Sequence, residues 1–148
     1  MADMLRGNYL ATADEKGRVK IPADFLAELR RAGKRFYVTS ATGDHARIYP
    51  MKAWEEIEKR LAKRSSHNPA RQKFLSRTNY YGQVVEMDGA GRILIPSILR
   101  ESAAIRGEVD VQGNLTYLQV WNHARFLEQM AANPVSAEDI QAFDELGA

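Results

Sequence analysis

The chain has 148 residues, with 21 Lys/Arg, 19 Asp/Glu, no cysteine and 45% hydrophobic residues. The missing cysteine excludes disulfides and thiolate metal sites and fits a reducing cytoplasm. No apolar run approaches the roughly 20 residues that span a bilayer, and the N-terminus has no signal-peptide pattern, so a soluble cytosolic protein is expected. The net charge of +2 conceals a division: residues 1–74 hold 16 Lys/Arg against 9 Asp/Glu, whereas residues 75–148 hold 5 against 10.

In chain order, residues 8–14 carry the strand formers Tyr9, Leu10 and Thr12. Asp14-Glu15-Lys16-Gly17 then reads as a turn, with Gly17 where a backbone of positive φ is needed. In Arg18-Val19-Lys20-Ile21 the alternation puts Val and Ile on one face and both cations on the other. Pro22 opens a helix over Ala23–Ala32, with Phe25, Leu26 and Leu29 inward and Gly33 at its end. Strands follow at Arg35–Ser40 and Arg47–Tyr49. Trp54, Ile57 and Leu61 mark the inner face of the next helix. Its basic run Lys59–Arg64 follows Glu55, Glu56 and Glu58, which suggests a solvated helix face paired within itself as Glu55–Lys59 and Glu56–Arg60. Ser65–Pro69 supplies a cap and a proline for a short helix, Ala70–Arg77.

The pattern then returns. Residues 80–88, with Tyr80, Tyr81, Val84 and Val85, read as a strand leading into Asp88-Gly89-Ala90-Gly91-Arg92-Ile93-Leu94-Ile95-Pro96. Asp, Gly, Arg, Ile and Pro recur in the register of Asp14–Pro22, 74 residues on. A helix at Ser97–Ile105, strands at Val109–Gln112 and Thr116–Trp121, and a helix with Phe126, Leu127 and Met130 complete the second copy. Ser136-Ala137-Glu138-Asp139 starts a tail helix whose apolar face is Ile140 and Phe143. Each half has about 70 residues, a size at which an isolated core is marginal, so the two are expected to share one.

The order hairpin, Asp-x-x-x-Arg, Ile-Pro, short helix and strands resembles the AbrB-type (SpoVT-AbrB) DNA-binding domain. Two such domains in one short chain, with Leu5-Arg6-Gly7 near the start, Tyr49-Pro50…Trp54-Glu55, and Ser65-Ser66-His67-Asn68-Pro69 between the halves, resemble the MraZ family of bacterial transcription regulators. The implied fold is mainly β with short helices (α+β), two tandem AbrB-like units forming a pseudo-two-fold swapped-hairpin β-barrel. The implied division is a first domain at 5–64, a linker helix at 65–78, a second domain at 79–133 and a helical tail at 134–148. The resemblance further implies a ring of identical subunits, nucleoid-associated, bound to short direct repeats in the promoter of a cell-division and cell-wall gene cluster that includes its own gene.

The residues themselves point to a polyanion. Lys16, Arg18 and Lys20 place three cations within five residues of the basic half, which suits a phosphate backbone. Arg92 keeps the equivalent of Arg18, but Ala90 and Leu94 replace the two lysines, so the signatures are expected to differ in role. Asp14 and Asp88 serve as ion-pair braces of their turns, as groups that orient the arginine forks toward DNA, or as both. Arg6 belongs either to the basic surface or to a solvated terminus. The aromatic residues are read as core or subunit contacts. His45, His67 and His123 lack metal-ligand spacing, and no phosphate-binding loop or nucleophile–base pair is evident. The expectation is therefore a DNA-binding regulator without cofactor, metal, membrane or small-molecule substrate, not an enzyme. The competing reading is an oligomeric scaffold or an antitoxin-like AbrB relative.

Overall fold

A computed structural model describes residues 4–147. The first half contains β1 (Asn8–Ala13), β2 (Arg18–Lys20), α1 (Ala23–Ala32), β3 (Arg35–Thr39), β4 (Ala46–Pro50) and α2 (Met51–Ala62). After α3 (Pro69–Tyr81), the second half repeats the order with β5 (Gln83–Glu86), β6 (Arg92–Leu94), α4 (Ser97–Ser102), β7 (Gly107–Asn114), β8 (Tyr117–Asn122) and α5 (His123–Ala132). A last helix, α6 (Ala137–Glu145), follows.

All eight strands form one antiparallel sheet in the order β5-β3-β4-β8-β7-β1-β2-β6. Its two terminal strands, β5 and β6, are joined by the second signature turn, where the Asp88 N–H donates to the Arg92 carbonyl at 2.9 Å. The sheet is thus a nearly closed, barrel-like α+β fold of two tandem AbrB-like units.

The pairing interlocks the two copies. Strand β1 lies along β7, from Asn8 opposite Gln112 to Ala13 opposite Gly107, and its repeat counterpart β5 lies along β3. Strands β2 and β6 pair with each other through Val19 opposite Ile93, residues that occupy the same position of the two repeats. At the other seam, Arg47 faces Gln119 in the β4–β8 pair, again repeat equivalents, since the second copy is two residues shorter by this point and the offset falls from 74 to 72. Neither copy completes a sheet alone. The alternation predicted for the signatures places Val19, Ile21, Ile93 and Ile95 in the interior, where they join Phe25, Leu29, Leu99, Phe36, Val38, Val109, Val111, Ile48 and Leu118 in one core.

Helix α1 has the bounds read from the sequence. Two other elements differ. Tyr80 and Tyr81 belong to α3, not to a strand, because that helix is well started and held along its length. Asn68 caps it by accepting from the Arg71 N–H at 3.1 Å, Pro69 fills its first turn, and the carbonyl of buried Thr78 accepts from the Thr39 hydroxyl at 2.6 Å. The strand begins only after Gly82. Helix α4 is shorter than Ser97–Ile105: it ends at Ser102, and Ala104 turns to φ +52°, which tucks Ile105 into the core with its N–H on the Arg100 carbonyl at 2.9 Å. On α2 the internal ion pair is Lys59–Glu56 at 3.3 Å, spaced by three residues where the expected pairs are spaced by four.

Because Ile93 sits on the seam shared by both copies with no exposed surface, Ile93→Ala is expected to cost about 2–5 kcal/mol of unfolding free energy. Leu10→Ala, at a side chain 57% exposed on β1, is expected to stay within about 0.5 kcal/mol. Urea denaturation of both variants checks the contrast.

Candidate nucleic-acid interface

Each signature folds into the same turn. The Asp14 N–H donates to the Arg18 carbonyl at 2.9 Å, and the Gly17 N–H donates back to the Asp14 carbonyl at 3.0 Å. Asp14 Oδ1 accepts from the backbone N–H of Lys16 and of Arg18, both at 2.9 Å, and Oδ2 accepts from Arg18 Nε at 2.7 Å. The second turn repeats this with Asp88: Oδ1 takes the N–H groups of Ala90 and Arg92 at 2.9 Å, and Oδ2 takes Arg92 Nε at 3.0 Å. These bonds favour the charged carboxylate. The Arg18 backbone N–H, with help from the Arg18 side chain, holds the Asp14 carboxyl below the usual carboxylate range; the Arg92 backbone N–H does the same for Asp88. In each turn one carboxylate thus holds the backbone and the guanidinium of the same arginine. The carboxylate braces the turn and orients the guanidinium through Nε, leaving the terminal nitrogens of Arg18 without a protein partner among the described residues.

The glycines are needed for conformation and for space. Gly17 has φ +86° and Gly91 φ +78°. A Cβ on Gly17 would run into the Arg100 side chain, and one on Gly91 would lie 3.0 Å from Leu26 Cδ1. Each turn is thus seated on the helix of the other copy, the first on α4 and the second on α1. The seats are tied by the backbone: the Ile95 N–H donates to the Gly17 carbonyl at 2.9 Å, and the Ile21 N–H to the Gly91 carbonyl at 3.0 Å.

This interlock brings most of the expected site residues together. In the β2–β6 ribbon, Val19 and Ile93 point inward, so Arg18, Lys20, Arg92 and Leu94 form the outer face. Lys20 stands directly opposite Arg92, and Arg18 opposite Leu94. Arg92 Nη1 also lies 3.9 Å from Asp14 Oδ2, so one carboxylate touches both arginines. Lys16 is exposed at the first turn tip. The division of charge along the chain is therefore not a division in space, and Arg92 stands among the cations of the first copy. Arg6 is elsewhere: it precedes β1 at the end away from the turn, where it lines a cleft with Tyr9, Asp24 and Arg31.

Arg100 is a residue that the sequence reading missed. It lies against the Gly17 turn and occupies the repeat position of Leu26, 74 residues earlier. Alignment of the two copies beyond the signature holds the signal, since a core-facing leucine in one copy is a cation in the other. Arg30 Nη2 approaches the Gly91 turn, 3.7 Å from where a Cβ would stand.

Two interlocked hairpin units, each presenting an Asp-turn-Arg signature at a common seam, define a tandem AbrB-type protein. The family model described as "MraZ protein, putative antitoxin-like" matches residues 4–77 and 82–146. The chain belongs to the MraZ family. It is 51% identical over 145 residues to the transcriptional regulator MraZ of Acidobacterium capsulatum, across 97% of this chain and 99% of that protein. It is 50% identical over 146 residues to the Koribacter versatilis protein of the same name, with the same coverage. The Escherichia coli O9:H4 protein of that name is 29% identical over 143 residues, across 95% of this chain and 93% of the relative.

The lowered Asp14 pKa carries a pH dependence of fixed sign. Its stabilisation is present above the unfolded value of about 3.9 and is lost as pH falls through the lower folded value. The stability advantage of the parent over Asp14→Asn is therefore expected to be largest near neutrality and to shrink below about pH 4. Paired urea titrations at pH 7 and pH 3 check it; an advantage that grows in acid would contradict the assignment.

Proposed function

We propose that this chain is a sequence-specific DNA-binding transcriptional regulator that works through the β2–β6 ribbon. The observation that carries the reading is the pair Lys20–Arg92. Like charges directly opposite each other on an antiparallel ribbon are destabilising, yet here two cations face each other with Arg18 on the same surface. Two carboxylates, Asp14 and Asp88, pair with the arginines against the three cations Arg18, Lys20 and Arg92, so the cluster keeps a net positive charge. A bound polyanion supplies the missing negative charge.

A two-stranded ribbon also fits the shape of the target. The B-DNA major groove is about 12 Å wide and admits an antiparallel pair of strands. Arginine forks oriented by Asp14 and Asp88 are set for the guanine edge, while Lys16, Lys20 and Arg100 take phosphates and fix the register. The name carried by the relatives, transcriptional regulator, agrees with this use.

One ribbon gives a small footprint, so the proposal includes a ring-like homo-oligomer that repeats it along short direct repeats and gains from effective concentration. The promoter of a cell-division and cell-wall gene cluster containing the chain's own gene is the target that the family implies, with the protein in the cytoplasm at the nucleoid. Units at 5–64 and 79–133, the linker at 65–78 and the tail at 134–148 are the proposed division of labour. The antitoxin-like alternative has its support in the family description and in the acidic tail.

The test is a salt series of binding to the DNA upstream of the chain's own gene, against scrambled DNA. Arg18→Ala is expected to weaken specific binding by about 1–3 kcal/mol per ribbon, the range of a bidentate base contact. Arg92→Ala is expected to weaken it as well, and loss of a phosphate contact such as Lys20 is expected to flatten the salt slope by about 0.9. Arg6→Ala is expected to bind as the parent does. Parent-like binding by Arg18→Ala, with its fold intact by circular dichroism, would falsify the assignment of the site.

A further inference from the structure

The end of the chain is folded yet uncovered. Helix α5 is tied to the body at its start, where His123 Nδ1 lies 2.7 Å from Asp110 Oδ2 and the Phe126 ring meets Trp121 at 6.1 Å. Every described residue from Leu127 to Gly147 is exposed. That stretch includes Leu127, Met130, Val135, Ile140, Phe143 and Leu146, all at least half exposed. Helix α6 is nevertheless well specified, with a capping box in which Ser136 and Asp139 exchange side-chain-to-backbone bonds. A nine-residue helix is marginal in water unless its apolar face is packed. Ile140, Phe143 and Leu146 follow one another at three-residue spacing on one side.

A matching recess lies elsewhere on the same molecule. Between the N-terminal residues Met4 and Leu5, the end of α1, the start of α2 and the β7–β8 turn is a groove of about 650 Å³. Its wall is mainly apolar, and Leu115 projects at its edge, 59% exposed and with φ +64°. A leucine in the left-handed region is unfavourable in its backbone. The rim carries Arg31 and Lys52 against one carboxylate, Glu28, which pairs with Arg31 at 2.7 Å and leaves Lys52 in excess. The tail is opposite in charge: from Phe126 to the C-terminus it has Glu128, Glu138, Asp139, Asp144 and Glu145 and no Lys or Arg.

We propose that α6 of one chain docks into the α1–α2–Leu115 groove of a second copy of the same chain, with Ile140 and Phe143 in the groove and the α6 carboxylates at Arg31 and Lys52. This rests on the oligomeric part of the reading above. Each chain carries one helix and one groove on different surfaces, so the contact is heterologous: it runs head to tail and closes into a ring when the rotation per subunit permits. Neither surface includes the β2–β6 ribbon, which stays free for DNA in every subunit.

The test is sedimentation velocity of the full chain. The parent is expected to assemble, whereas Ile140→Asp/Phe143→Asp, Leu115→Asp and the charge reversal Glu138→Lys/Glu145→Lys are each expected to lose assembly at least tenfold, with circular dichroism unchanged. The first variant keeps a working groove and the second a working tail, so their mixture is expected to form a two-copy complex and stop there. A monomeric parent, parent-like sizes for all three variants, or no pairing of the folded mixture would overturn the proposal; a monomeric parent moves the tail to a different protein partner. Binding of the same samples to a single promoter repeat separates the two readings. A dissociated tail variant that retains weak specific binding supports both, while tail-dependent assembly with no DNA preference leaves the docking intact and removes the regulator.

Discussion

The structure depends on a reciprocal backbone lock between the two signatures. Ile21 donates to the carbonyl of Gly91, and Ile95 to that of Gly17, on either side of the buried Val19–Ile93 pair. Because the donor of each bond belongs to one copy and the acceptor to the other, neither turn has its seat until both copies are in place. The same exchange extends through β1 on β7 and β5 on β3. Two halves too small for secure separate cores thereby bury one common core, and the chain gains within itself the symmetry of a dimer.

The two seams on the pseudo-two-fold have taken different roles. At β4–β8 the repeat-equivalent stacks are Tyr49 on Tyr117, 4.6 Å between ring centres, and Trp121 on His45 at 4.5 Å. The residue types have diverged while the stacking across the strands is kept, as expected where burial and packing are the purpose. Burial pushes the His45 imidazole pKa down, so its ring is favoured in the neutral form against Trp121. At β2–β6 the surface is cationic and open, and the packing lies only beneath it. Aromatic stacking marks one seam, and an excess of positive charge marks the outer face of the other.

Much of this was legible in the residues. Helix α1 could be bounded because Pro22 and Gly33 punctuate it and Phe25, Leu26 and Leu29 keep helical spacing. The turns could be read because Asp, Gly and Arg recur in register. Tyr80 and Tyr81 were misread because β propensity is weaker than the tertiary anchoring of α3 at Thr78. The end of α4 falls short of Ile105 because a left-handed Ala104 reverses the chain.

The sequence alone determined the local conformations, the doubled unit and the identity of the paired Asp and Arg, since these depend on residues within a few positions of one another. Only the tertiary structure decided which cations share a surface. Strand register sets Arg92 opposite Lys20 and leaves Arg6 at the far end of β1. It also brings Arg100 to the Gly17 turn across 83 residues of chain. Charge counted along a chain is blind to such placement, because antiparallel pairing between the copies interleaves the basic half with the acidic one.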